Sequence, residues 1–199
     1  LEALARWQHP RRGLIPPCDF LPILEQCGLM ERLGQRMLSD ALSALAEWDK
    51  NGVYVPAISI NMSNSELRNP NLVDHIMMEL DRHDLAPERL VIEILETVVV
   101  TGKNGITETN LSLLAAIGCG IDLDDFGTGH ASITSIRKFA IQRIKIDRSF
   151  ITNVDRDTEQ QDMIAAILTM AARLNLVTLA EGVETPQEQD QLARMGCQH

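Results

Sequence analysis

The residues Ile121 to Gly129, IDLDDFGTG, put two adjacent carboxylates at the end of an apolar, strand-like run and then break on Gly-Thr-Gly. Adjacent like charges repel, so Asp124 and Asp125 need a compensating cation. The pattern recurs along the chain. Asn61 ends the run ISIN, Glu93 sits between Ile92 and Ile94 in LVIEIL, Lys145 lies in RIKI, and Glu181 follows VTLA. Near the start, Glu2 precedes Ala-Leu-Ala-Arg-Trp. Any one of these reads as an edge residue or half of an ion pair. Recurrence on successive strands argues for more, because a buried unpaired charge costs several kcal/mol. A carboxylate cluster is stable when cations sit in it. All-oxygen donors without Cys or His favour Mg²⁺ or Mn²⁺ over zinc. One ion on each side of Asp124 would let the two aspartates stand together. The glycines that follow permit a tight loop close to a ligand.

Strands and helices must alternate to bring such residues together. Tyr54 to Asn61 is a β-branched run followed by the helix-like NLVDHIMMELDRH. Leu90 to Leu95 precedes the amphipathic ITETNLSLLAAIG, which Gly118 closes as a C-cap. Ile121 to Asp124 precedes SITSIRKF, Arg143 to Ile146 precedes DTEQQDMIAAILTMAARLN, and Val177 to Ala180 precedes PQEQDQLARMG. Asp19 to Trp48 reads as two helices broken at Gly28. Counting a first strand around Leu1 to Trp7, about six strands are expected in a parallel sheet covered on its faces. An open doubly wound sheet accepts that number, and so does a (β/α) barrel missing its outer pair. Functional residues at the ends of many strands favour the barrel. No linker or low-complexity segment interrupts the chain, so residues 1–199 are expected to form one domain.

The formal charge of -10 argues against DNA binding, which needs clustered Lys and Arg. It leaves room for a phosphate substrate whose charge is met by metal ions. No apolar run is long enough to cross a bilayer and no signal-peptide pattern opens the sequence. Residue 1 is Leu, so the chain is expected to be cut from a longer protein that carries any anchor or sensor. Cys18, Cys27, Cys119 and Cys197 are widely spaced and form no CxxC, which points to buried thiols in a reducing cytoplasm.

Taken together, Glu2-Ala3-Leu4 with Arg6-Trp7, His9-Pro10, FLPILEQCGLM, SINMS at 59–63, EILE at 93–96, DDFGTG at 124–129, KIDRSFI at 145–151 and AEGVET at 180–185 resemble the EAL domain family in its own order. The resemblance covers essentially the whole chain. It implies a TIM-like (β/α) barrel, here lacking the first and last strands of the full domain. It further implies hydrolysis of cyclic di-GMP to linear pGpG with Mg²⁺ or Mn²⁺. Carried over by motif, Glu2, Asn61, Glu93 and Asp124 hold one ion, and Asp124, Asp125 and Glu181 hold the second. Lys145 orients the attacking water, while Arg6 and Leu4 meet a phosphate and a base. Glu96 braces the DDFGTG loop that contains Thr128, and Glu184 supports the site from behind. A homodimer is implied, as are sensor, GGDEF or membrane domains elsewhere in the full protein.

Asp122 departs from the pattern, which commonly has a small neutral residue there, and Leu95 replaces a usual Thr. His130 reads as a loop or interface residue and His9 as a turn residue. Two other functions compete: a cyclic di-GMP receptor with little turnover, and an enolase-like proton-abstraction site built on Lys145. The adjacent aspartates fit two-metal phosphodiester chemistry better than the second.

Overall fold

The computed structural model describes residues 1–101, 105–128 and 136–199. In chain order the strands are β1 (Glu2–Ala3), β2 (Trp7–His9), β3 (Gly13–Ile15), β4 (Ile58–Asn61), β5 (Leu90–Leu95), β6 (Gly120–Phe126), β7 (Arg143–Ile146) and β8 (Val177–Ala180). The helices are α1 (Pro17–Gln26), α2 (Met30–Lys50), α3 (Asn64–Leu67), α4 (Leu72–His83), α5 (Glu96–Thr101), α6 (Ile106–Ile117), α7 (Arg148–Ile151), α8 (Thr158–Leu174) and α9 (Pro186–Met195). The chain gathers into two compact units, Leu1–Glu93 with Asn104–Gly120, and Ile94–Lys103 with Ile121–His199.

In the first unit β1 pairs in parallel with β4, and β4 with β5, so that Glu2 lies opposite Ser59 and Asn61 opposite Glu93. Helix α2 packs on β4 and α4. Its buried Leu38, Leu42 and Leu45 recur at helical spacing, as do Leu72, Ile76 and Leu80 of α4. Each such side chain contributes about 1.5–3 kcal/mol on burial. Asn110 of α6 is buried and donates to the carbonyls of Leu67 and Asn69, both at 2.9 Å, which ties α6 to the end of α3.

The second unit repeats the plan, with β6, β7 and β8 parallel in that order. Ile121, Leu123, Ile144 and Ile146 are fully buried. Ile146 packs in a cluster with Ile151 of α7, Val154, Ile164 of α8 and Leu192 of α9. Alternate strand positions therefore face this core, and the positions between them face the other way. Asp122, Asp124, Arg143 and Lys145 all fall in that second set.

Two local expectations change. The strand expected from Leu1 to Trp7 stops at Ala3, and Trp7 belongs instead to an antiparallel hairpin of β2 and β3. His9 closes its turn, Nδ1 accepting from the backbone N–H groups of Arg11 and Arg12 at 3.1 and 3.2 Å. Trp7 sets its ring edge-on to His9 and to Phe20 of α1. The run beginning at Tyr54 becomes a strand only at Ile58. Pro56 offers no ladder donor, and Tyr54 lies exposed beneath the Arg89 guanidinium, 5.2 Å from its ring. The helix expected over SITSIRKF begins outside the described residues. Among the described residues no helix is long and apolar enough to cross a membrane.

Cys119 is fully buried, and burial pushes its thiol up to about 11, with the Glu88 carboxylate adding to the shift. Cys18 and Cys27 are exposed, against the expectation of buried thiols, because their residues lie on the solvent side of α1 and at its end. A disulfide reagent at about pH 8 is therefore expected to modify Cys18 and Cys27 quickly and Cys119 only after denaturant is added. Rapid modification of Cys119 in the native protein, read by mass spectrometry, would contradict its placement.

Candidate functional site

The side chains with chemical capacity in the second unit gather at the C-terminal ends of β6, β7 and β8. On β6 the ladder to β7 is regular at Asp122 and Leu123 and shifts register before Phe126. Such an irregularity re-aims side chains. Here it accompanies Asp125, whose φ of 52 lies in the left-handed region that Asp tolerates better than most residues. The chain then turns at once: Thr128 donates to the Asp125 carbonyl from both its N–H, at 3.3 Å, and its hydroxyl, at 2.9 Å.

Asp124, Asp125 and Glu181 each offer a carboxylate oxygen within 4.8 Å of one another. Lys145 lies beside them with only 4% of its surface exposed. Its Nζ is 3.0 Å from Asp124 Oδ1 and 2.7 Å from Glu181 Oε1. Asp124 Oδ1 is buried and, among the described residues, its contact with that ammonium is an ion pair outside hydrogen-bonding geometry. The ammonium offsets the charge of that oxygen without filling its lone pairs with well-aligned hydrogen bonds, so a further cation can approach it. Hard-oxygen donors, a short mutual separation and this oxygen fit a divalent ion of the Mg²⁺ or Mn²⁺ type.

The loops around the cluster are held by specific contacts. Glu96, buried at the start of α5, accepts from the Gly127 N–H at 3.1 Å. Gly127 has φ 104, and a Cβ there would lie 2.5 Å from the Phe150 ring. Gly182, next to Glu181, has φ 67, and a Cβ would lie 2.7 Å from Cγ of Arg148. Glu188 of α9 is buried and accepts from the N–H groups of Asn153, Glu184 and Thr185. These bonds, that from Asn153 foremost, hold its carboxyl below the usual range. With Thr185 it closes a capping box at the start of α9, fixing the segment that follows Glu181.

The first unit makes a smaller group. Asn61 Nδ2 donates to Glu2 Oε1 at 2.7 Å, and Glu93, 2% exposed, is its register neighbour on β5. Beyond β1, Leu4 is 53% exposed and Arg6 is exposed, its Nη1 donating to the Ala5 carbonyl.

A family model for the EAL domain matches residues 1–199. The chain belongs to the EAL family. With that membership comes the α/β, TIM-barrel-like fold of its solved neighbours. The bifunctional diguanylate cyclase/cyclic di-GMP phosphodiesterase MucR of Pseudomonas aeruginosa is 36% identical over 197 residues, which are 99% of this chain and 29% of MucR. The cyclic di-GMP phosphodiesterase PdeR of Escherichia coli is 31% identical over 196 residues, covering 98% of this chain and 29% of PdeR. The solved PaMucR phosphodiesterase in complex with c-di-GMP superposes with a TM-score of 0.88 at 37% identity, over 98% of this chain and 79% of that one. The EAL chain thus spans under a third of the length of these two curated relatives.

Of the residues singled out in this EAL sequence, the structure brings Asp124, Asp125, Lys145 and Glu181 together in one unit and Glu2 and Asn61 together in the other. The Glu184 carboxylate is exposed and pairs with Arg148 at 2.6 Å. Gly129 and His130 lie outside the described residues. Glu188 escaped the sequence reading, although T-x-x-E at 185–188 is a recognisable capping box. Asp122 also gains a partner, for its Oδ2 accepts from Nε of Arg143 at 2.8 Å. Burial pushes the Asp122 carboxyl up, and the guanidinium opposes that shift.

Gly127→Ala is expected to destabilise the EAL chain by about 1–3 kcal/mol, since it combines a disfavoured φ with an aromatic clash. Equilibrium urea unfolding measures this. A midpoint equal to that of the wild type would mean that Phe150 is not held against Gly127.

Proposed function

We propose that this EAL chain hydrolyses one phosphodiester of cyclic di-GMP to linear pGpG with the help of Mg²⁺ or Mn²⁺. The observation that carries the reading is the buried ammonium of Lys145 held by Asp124 and Glu181 inside a three-carboxylate cluster. Relatives named as cyclic di-GMP phosphodiesterases, and a solved relative in complex with c-di-GMP, support the choice of substrate.

Asp124, Asp125 and Glu181 are the donors proposed for one ion. Glu2, Asn61 and Glu93 are proposed as donors for the other. Bound ions supply positive charge that acidifies a water and stabilises the oxygens of the phosphoryl group. In the overall step a water oxygen bonds to phosphorus, one bridging P–O bond breaks, and the departing oxygen takes a proton. Lys145 is proposed to hold the attacking water through its N–H donors, its position fixed by the two carboxylates on either side. Arg6 is proposed to meet a phosphate and Leu4 a base, both from exposed positions beyond β1. Glu96 and Thr128 keep the loop after Asp125 closed on itself through the bonds already described. A homodimer and a cytoplasmic setting are proposals as well, resting on the family resemblance and on the unpaired, widely spaced thiols.

The test is turnover of cyclic di-GMP by the protein with Mg²⁺ or Mn²⁺ supplied and then chelated. Metal-dependent appearance of pGpG is expected, with Asp124→Asn and Lys145→Met each lowering kcat by roughly 10²-fold or more. Tight binding of cyclic di-GMP without product would make the chain a receptor. Absence of both binding and turnover would end the reading.

A further inference from the structure

Asp122 has no place in the function argued so far, yet it is 2% exposed and lies on β6 facing the same side as Asp124. Its register partner on β7 is Arg143, whose Nε and Nη2 both donate to Asp122 Oδ2. The next residues on that face are Asp124 on β6 and Lys145 on β7. Two layers of charge therefore ride on the same pair of strands, about 7 Å apart along the chain direction. The lower layer is Asp122 with Arg143. The upper is Asp124 with Lys145 and Glu181.

The position of the lower layer is informative. Asp122 and Leu123 form the last regular rungs before the irregularity that carries Asp124 and Asp125. The Arg143 side chain is 29% exposed, so water screens its charge only in part. Without Asp122, a guanidinium would stand one layer below a site meant for cations. With Asp122, the layer is neutral and the field at the cluster is set by the carboxylates above.

We propose that the Asp122–Arg143 pair is a positioning and charge-balancing element of the cation site, cancelling the guanidinium charge and pinning β6 to β7 so that Asp124 meets Lys145. The inference rests on reading Asp124, Asp125 and Glu181 as metal ligands. Its mark is a sign pattern that a plain structural clamp does not produce. Removing the carboxylate alone leaves a repelling cation, removing the cation alone leaves an extra anion, and removing both restores neutrality.

The experiment is Mn²⁺ binding to the protein without substrate, followed by electron paramagnetic resonance, for wild type, Asp122→Asn, Arg143→Gln and the double variant. Thermal melting of each runs alongside. Asp122→Asn is expected to weaken Mn²⁺ binding about tenfold, which is about 1.4 kcal/mol. Arg143→Gln is expected to tighten it, and the double variant to return within about threefold of the wild type. Equal weakening in all three variants, tracking their loss of thermal stability, would mark a clamp and overturn the proposal. So would unchanged affinity in Asp122→Asn, or a wild type that binds no Mn²⁺. A protein that shows the expected cycle but makes no pGpG would instead overturn the phosphodiesterase reading and leave this inference standing.

Discussion

A buried ammonium must be answered by buried carboxylates, and the second unit is arranged around that requirement. Lys145 sits in the middle of three parallel strands with Asp124 on one side and Glu181 on the other. Taking such charges out of water costs several kcal/mol per ion, so each must be met at short range. The opposite face of the same strands meets the cost of ordering them. Leu123, Ile144 and Ile146 are fully buried there, and the cluster around Ile146 joins α7, α8 and α9 to the sheet. Strand alternation is what allows one short run, RIKI, to serve both faces.

Loops complete what the strands begin. Asp125 in a left-handed conformation, Gly127 against Phe150 and Gly182 against Arg148 are positions where the backbone accepts strain or close approach. Two buried carboxylates hold the backbone around these turns. Glu96 holds Gly127 from one side, and Glu188 holds Asn153, Glu184 and Thr185 together on the other. Carboxylates thus play two different parts here. Glu96 and Glu188 are buried and take backbone N–H groups, which makes them structural. Asp124 instead turns a buried oxygen to the Lys145 ammonium and, among the described residues, takes no hydrogen bond on it.

The legibility of the sequence follows from the range of each interaction. LVIEIL, RIKI and VTLA appear as strands at the expected bounds because β-branched runs with one polar interruption are a local signal. The helix closed by Gly118 is equally local, its end set by a left-handed glycine. Glu93, Asp124, Lys145 and Glu181 stood out because a charge in an apolar run is conspicuous in one dimension. The β2–β3 hairpin did not, since its turn depends on a histidine nitrogen taking two backbone donors rather than on a glycine-led turn sequence. Asp122 was visible but unexplained, because its partner Arg143 lies 21 residues away and is brought near only by strand register. Periodicity placed Arg143 in the strand without indicating a pair.

Charge decides what the upper layer can accept. Asp122, Asp124, Asp125 and Glu181 carry four carboxylates against the two cations Arg143 and Lys145, a formal excess of two negative charges in one small region. The whole chain is also acidic, at -10. An anionic phosphodiester approaching that region alone is repelled both locally and at long range. One divalent ion would cancel that local excess. On the proposed reading, binding of cations and of such a substrate would therefore be coupled by electrostatics. Lys145 cannot take over the role, because its charge is already committed to Asp124 and Glu181. Its two ion pairs fix the ammonium between Asp124 and Glu181, which is the placement the proposed water-holding role requires.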